Sequence, residues 1–390
     1  MNNNQAKQKK AQQPPSFIWV FGSGDCSQLA IDEDTWSVER PRPHPFFSSL
    51  KVVQIAAGSL HTLALDPAGQ VYSWGCNDEK ALGHEAPEFQ IALVQGLAEP
   101  ILQVAAGDSI SAALGVSGQV YTWGTFRDSK GLLGHSHTAP VQPRPTPTGL
   151  TNIKYIAAGA NHLFAVNSRN EVFSWGSGEQ GQLGRRVLER HKMLGLRPNS
   201  VTPRQGRSLV KISKVCAGAY HTLMTSVDGE LYVMGLNNYG QLGLIDSSGR
   251  EVKEVMNALL LPAPEPIVDM AAGEHHSLVL GASGALYASG RNDSGELGIG
   301  NTTAPNSWNF VKVMDNVRSI AAGGHHCLAI TRSDEVYAWG YGEMHQLGLG
   351  KDEVCHTPQR INCDFAGWIP IQASCGAQHS VILSTNESNN

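Results

Sequence analysis

The stretch VVQIAAGSLHTLALDPAGQVYSWGCNDEKALG, residues 52–83, decides how the chain is read, because most of the remainder consists of imperfect copies of it. Its first half reads as a strand, a tight turn over 58–61 and a second strand over 62–66. A turn at Pro67, Ala68 and Gly69 returns the chain through a third strand, 70–74, into a glycine-rich exit, 75–83. Short β-branched or apolar runs bounded by Gly, Pro, Asn and Asp are the signature of strands and hairpins.

The first half recurs around Gly58, Gly107, Gly159, Gly218, Gly273, Gly323 and Gly376, seven copies spaced 49 to 59 residues apart. The second half also recurs seven times, ending at Gly22, Gly75, Gly124, Gly176, Gly235, Gly290 and Gly340. A period near 50 with about four strands per copy excludes a helical solenoid and predicts an all-β, seven-bladed propeller. The amino end supplies a second half without a first, and the carboxyl end a first half without a second. One blade must therefore be assembled from both chain ends, which closes the ring and removes free edges. The expected layout is a disordered basic tail over 1–15, a propeller over 16–386 and a disordered end over 387–390.

Composition agrees with this class: 42 glycines in 390 residues and only 16% charged residues suit a turn-dense β protein. The net charge of −5 excludes little, because local charge decides partners. Seven cysteines, odd in number and without CxxC pairs, argue for a reducing compartment and against structural zinc. No apolar run approaches 18 residues and no signal peptide is present, so a soluble intracellular protein without membrane contact is expected.

Six copies carry a histidine in the turn: His61, His162, His221, His276, His326 and His379. One per blade at one repeat position, they read as structural hydrogen bonders rather than metal ligands, and no metal or cofactor is expected. The Trp-Gly tryptophans read as packing between blades. Nothing resembles a nucleophilic triad, a P-loop or paired carboxylates, so covalent catalysis is not expected.

Three antiparallel crossings place the Gly-x-x-His turns and the exits on one face, here called the turn face. Binding residues are to be sought where copies deviate, since shared residues fold the ring. Before the turn histidine the pairs include Asp108-Ser109, Ala160-Asn161, Ala219-Tyr220, Glu274-His275 and Gly324-His325, and the exits add Asp25 and Arg185. Such a mixed polar ring suits a protein partner. The third copy departs furthest: Ile110 replaces the histidine, and its exit, GTFRDSKGLLG over 124–134, is longer than the others. That exit is expected to project Phe126, Arg127, Asp128 and Lys130 as a hairpin, with Gly131 permitting the bend. Within the longest interval, between Gly159 and Gly218, the segment 185–211 holds Arg185, Arg186, Arg190, His191, Lys192, Arg197, Arg204, Arg207 and Lys211 against Glu189 alone. This basic loop is expected to reach the opposite face and to suit nucleic acid or an acidic protein patch. In the tail, Lys7, Lys9 and Lys10 without any acidic residue make a short basic segment.

The repeat resembles that of the regulator of chromosome condensation family, seven-bladed propellers that exchange nucleotide on the nuclear GTPase Ran. The resemblance covers roughly residues 16 to 386. Two local matches are sharper: GTFRD with the following Gly131 resembles the family's β-wedge, and GEQGQLG with Arg185 resembles the exit whose arginine contacts Ran. The resemblance implies a GTPase-binding site comprising Asp25, His61, Asp108, the wedge residues Phe126, Arg127, Asp128, Ser129, Lys130, Gly131, Leu132 and Leu133, then Asn161, Arg185 and His275. At Asn161 the family carries an aspartate that matters for exchange, and the family's acidic residue beyond the wedge is absent, with His135, Ser136 and His137 in that region. The basic loop resembles the family's histone-contacting loop but is shorter. Histone or nucleosome binding would use Lys7, Lys9, Lys10, Arg190, Lys192, Arg197, Arg204 and Arg207, with DNA contact through the tail left open. The resemblance implies a monomeric, nuclear, chromatin-associated exchange factor; the alternative is a non-catalytic interaction propeller that binds Ran or chromatin with weak exchange.

Overall fold

The computed structural model describes residues 16–386 except 301, 302, 364 and 366. The expected basic tail with Lys7, Lys9 and Lys10, and both disordered chain ends, lie outside the described residues. Seven four-stranded antiparallel sheets form the ring. In the opening stretch the strands are Gln54–Ala57, His61–Leu65, Val71–Gly75 and Ala92–Leu93, in that order outward from the axis. The turn histidine is therefore the first residue of the second strand, and the strand it opens is buried throughout.

The closing blade takes strands from both ends of the chain. Ser16–Ser23 lies against His379–Thr385, in register from Ser16 opposite Thr385 to Gly22 opposite His379, flanked by Ile369–Cys375 inside and Ser37–Pro43 outside. The Trp19 indole donates to Ser384 Oγ at 2.8 Å across this seam. All-β architecture and terminal closure are as the repeat count requires.

Two belts join neighbouring blades around the axis. In the first, each Ala-Gly turn hydrogen-bonds through its backbone to the next: Ser59 N to Gly107 O, Ala160 N to Gly218 O, Ala219 N to Gly273 O and Gly324 N to Gly376 O, all within 3.2 Å. A Cβ on Gly58 would lie 2.2 Å from Gly107 O and 2.7 Å from the His61 ring. Glycine is needed here for space, not for a left-handed backbone; the left-handed positions are the Trp-Gly glycines such as Gly75, φ +104°.

The second belt is made by the turn histidines. His61 Nε2 lies 2.8 Å from Ser111 Oγ of the next blade, His221 2.7 Å from Ser277, His326 2.8 Å from Ser380, and His379 2.9 Å from Thr62, so that the closing blade is tied to its neighbours on both sides. His162 reaches Thr222 Oγ1 at 3.2 Å and His276 the Cys327 thiol at 3.1 Å. Ser111, Thr222, Ser277 and Ser380 each donate to a carbonyl of the preceding exit, so the ring nitrogen must be the donor to the hydroxyl. Burial holds these rings neutral, with the pKa of His61 lowered to about 4 and that of His162 to about 3.

Candidate functional site

The turn face opens on the mouth of the axial channel, lined by the Ala-Gly turns together with Ser59, Asp108, Tyr220 and Glu274. Around it the exits present an acidic rim. The third residue after the Trp-Gly glycine is Asp25, Asp78, Glu179, Asp293 or Glu343 in five of the seven copies, and all five are exposed. The signal was in the sequence, as a repeat position that is acidic in five copies, with Arg127 and Asn238 in the other two.

The long exit of the third copy forms a two-stranded hairpin, Phe126–Asp128 paired with Gly131–Gly134, with Gly131 at φ +114°. Four contacts fasten it from three sides. Arg127 N–H donates to Asn161 Oδ1 at 2.8 Å, and the Arg127 guanidinium pairs with Glu79 of the preceding blade. Ser129 donates through its amide and hydroxyl to Glu179 of the following blade, both at 2.8 Å. Asp128 meets Lys192 Nζ at 2.6 Å. Burial pushes the Asp128 carboxyl up, but the Lys192 ammonium and the Lys130 amide outweigh it and hold the group below the usual carboxylate range. Lys130, Gly131 and Leu132 remain at the tip, with Leu132 46% exposed.

Several expected positions are corrected. Phe126 does not project; it is 1% exposed and packs with Ile110, Leu133, Leu163 and Trp175 beneath the hairpin. Leu133 is likewise an anchor, 7% exposed. His61, 1% exposed and bonded to Ser111, belongs to the inter-blade belt and offers a partner nothing. Arg185 is turned inward, its Nη2 donating to the carbonyls of Gly195 at 3.1 Å and Arg197 at 3.0 Å, where it holds the segment Glu189–Leu196 over the exit. That segment lies beside the wedge rather than on the opposite face: Gly195 packs against Gly176 O, and Lys192 is committed to Asp128. Arg190 and Arg197 are exposed there, while Arg204 and Arg207 are exposed on a separate hairpin, Arg204–Gln205 with Ser208–Leu209. That hairpin lies towards the far face, where Ile212 N–H bonds to Asn170 O. The nine basic residues thus divide between the two faces.

Asn161 links the wedge to the channel mouth, since its Nδ2 donates to Asp108 Oδ2 at 3.3 Å while its Oδ1 receives Arg127. Asp108 is open to the channel yet enclosed by its rim, and that enclosure, with Glu274 nearby, raises its pKa to about 6 against the opposing pull of Asn161 and Arg127. On the far side of the mouth, His275 stacks on Tyr220 at 5.4 Å and tilts against Tyr239 at 4.7 Å. Arg291 lies over Tyr239, 5.4 Å from its ring centre, and pairs with Asp293 at 2.7 Å. Reading the repeat from sequence placed Tyr220 and Glu274 in the turn-face ring but did not single out Glu79, Glu179, Tyr239 or Arg291, because their contacts arise only between blades. Cys76, Asp78 and Glu88 bring three ligand atoms within 4.8 Å of one another, though Glu88 already accepts from Asn77 N–H at 2.7 Å.

The ring, its acidic rim and the fastened hairpin define a seven-bladed propeller with one polar, structured face. The RCC1-like domain matches residues 17–382, so the chain belongs to the regulator of chromosome condensation family. It is 33% identical to the guanine nucleotide exchange factor SRM1 of Saccharomyces cerevisiae over 75% of this chain and 68% of that one. To the human regulator of chromosome condensation it is 33% identical over 73% of this chain and 70% of that one. Protein pim1 of Schizosaccharomyces pombe is 33% identical over 74% of this chain, which spans 56% of that relative. Among solved structures, Prp20p of Saccharomyces cerevisiae, described with its binding to Gsp1p and histones, superposes with a TM-score of 0.88 at 33% identity over 97% of this chain and 93% of that one.

Proposed function

We propose that this protein is a guanine-nucleotide exchange factor for a Ran-type GTPase and that residues 126–134 are its wedge. The observation that carries the reading is the fastening of that hairpin by Glu79, Asn161, Glu179 and Lys192 at the edge of an acidic channel mouth. A loop held from three sides enters a partner without losing freedom on binding, so its full contact energy is available to distort the GTPase. No bond is made or broken. The factor binds the nucleotide-free GTPase more tightly than the loaded form and therefore lowers the affinity for nucleotide by the same factor. Lys130 and Leu132 at the tip would press on the phosphate-binding loop, while Asp25, Asp108, Glu179, Glu274 and Asp293 receive basic side chains.

The test is release of a fluorescent guanine nucleotide from Ran by the purified chain. Acceleration is expected; none at micromolar concentration favours the non-catalytic propeller. Histone binding, described for Prp20p, is the second role, and nuclear, chromatin-associated residence follows from it. For this chain the exposed Arg204 and Arg207 hairpin supports that role, since a basic far face leaves the GTPase face free. Replacing both arginines by Ser should weaken nucleosome binding and flatten its salt dependence, with nucleotide release unchanged.

A further inference from the structure

One corner of the channel mouth departs from the repeat in a way that the wedge does not explain. In four copies the residue before the buried leucine of the exit is glutamine, and its Oε1 accepts the backbone N–H two residues earlier: Gln28 from Cys26 at 2.7 Å, Gln182 from Gln180 at 2.8 Å, Gln241 from Tyr239 at 2.9 Å and Gln346 from Met344 at 3.0 Å. The sixth copy has Glu296 there, fully buried, and its Oε2 makes the same bond to Ser294 N–H at 2.9 Å. An amide would serve the fold equally well, so the carboxylate is there for its other oxygen. That atom, Oε1, lies 3.2 Å from His325 Nδ1, and His325 Nε2 lies 3.0 Å from Glu274 Oε2 at the channel mouth.

We propose that Glu296 is a positioning residue which, through His325, fixes the Glu274 carboxylate at the channel mouth as a docking point for a lysine or arginine side chain of the GTPase. This rests on the exchange-factor reading above. Glu296 is out of the partner's reach, and Glu274 is the carboxylate offered to it.

With a carboxylate on each nitrogen, His325 has its pKa raised to about 9, the bonds to Glu274 and Glu296 outweighing burial, so it is charged at neutral pH. Its neighbours are accounted for. His276 and His326 are buried and neutral, and His275 is held below its ordinary value by burial. Arg291 favours the charged form of Glu274, whereas the Glu274 charge raises the pKa of both Tyr220 and Asp108.

The decisive variant is Glu296→Gln, the residue that four other copies carry at this position, so the fold accepts it. Two measurements are made. The first is the titration of the His325 ring by NMR on histidine-labelled protein, assigned against His325→Gln. The second is the ratio of variant to wild-type Kd for nucleotide-free Ran across pH 6.5 to 8.5; taking the ratio cancels the titration of Asp108. Removal of Glu296 should lower the His325 pKa by at least about one unit, and the Kd ratio should rise from about one at pH 6.5 to about three at pH 8.5, as His325 loses its proton and frees Glu274. Glu274→Gln should weaken binding at every pH. A ratio that is flat across pH, or no weakening with Glu296→Gln, overturns the positioning role. An unchanged His325 titration overturns the relay itself, and needs no partner to be read. Wild-type protein that does not bind Ran overturns the exchange-factor reading instead.

Discussion

The blade of residues 54–93 and the blade of residues 101–147 share three inner strands but leave their tryptophan differently. In the first, Leu82 follows Trp74 by eight positions; in the second, Leu133 follows Trp123 by ten. Both leucines are buried, so the two extra residues must be expelled between fixed points. In the short exit the Asn77 side chain organises the turn, accepting from Leu82 N–H at 3.1 Å and donating to His84 O at 3.2 Å. Phe126 occupies the corresponding place in the long exit and instead turns into the core, lifting Arg127 to Leu132 off the surface.

The lost histidine belongs to the same change. Wherever a blade presents the turn histidine, the next blade presents a hydroxyl or thiol to it; where Ile110 stands, the next blade presents Leu163. Donor and acceptor are exchanged together for an apolar pair, and Phe126 packs on that pair. A polar hook between blades became an apolar foundation for the wedge. Leaving either half of the polar pair alone would have stranded a buried polar group, at a cost of about 1–3 kcal/mol.

The largest expected effect separates the two exits by function. Replacing residues 127–132 with two glycines, while keeping Phe126 and Leu133, should reduce Ran nucleotide release by at least about 100-fold, roughly 2.7 kcal/mol of transition-state stabilisation. Thermal melting should stay within a few degrees, and replacing Asp78 and Lys80 of the short exit by glycine, which spares the Glu79 partner of Arg127, should leave most of the release intact. If both replacements reduce release equally, the wedge assignment is wrong.

Next comes the foundation. Phe126→Ala should cost about 3–5 kcal/mol, read as a lower denaturation midpoint, because its cavity opens under Ile110, Leu163 and Trp175. His61→Ala should cost less, about 1–3 kcal/mol, since it removes one hook from a belt of six. Equal costs would mean that the two blades are held in the same way.

The belt also sets an acid limit. The pKa values of His61 and His276 are lowered to about 4, and those of His162, His221, His326 and His379 to about 3. Below the ordinary histidine value the unfolded chain binds protons that the folded chain refuses, so the belt's contribution to stability rises with pH from about 4 to 6.5 and is level above, while that of His325 falls between about 6.5 and 9. Melting temperature followed from pH 7.5 to 4.5 should fall steeply below about 6. His61→Gln, which cannot titrate, should lessen that fall, and an unchanged acid slope would place the protons elsewhere.

The smallest effect tests the link between wedge and channel. Asn161→Asp keeps the acceptor for Arg127 but removes the donor to Asp108 and sets a second carboxylate beside it. Because the Asp108 pKa is already raised to about 6, the pair then shares a proton near neutrality. Exchange should rise a few-fold at pH 8 and not at pH 6; a gain that is equal at both values would contradict the coupling.

The ring was legible in the sequence because each blade must repeat the same solution: a turn glycine, a core tryptophan and a histidine at fixed offsets. The paired change at Ile110 and Leu163 was visible as well, once the histidine's partner was known to sit one residue past the next blade's turn histidine. The inward turn of Phe126 was not. An aromatic in a hairpin insertion can project or anchor, and only the space beneath it decides.

The amino-acid sequence by itself determined the seven-fold ring, its closure by the two termini and the copy with the long exit, since periodicity and local turn chemistry are properties of the chain. Tertiary structure alone decided which charged side chains are free and which are committed. It assigned Arg185 to carbonyls of its own loop, Lys192 to Asp128, and Glu296 through His325 to Glu274. Those pairings cross 10 to 64 positions of sequence, and an ion pair forms where the blades bring charges within reach, whatever their separation along the chain.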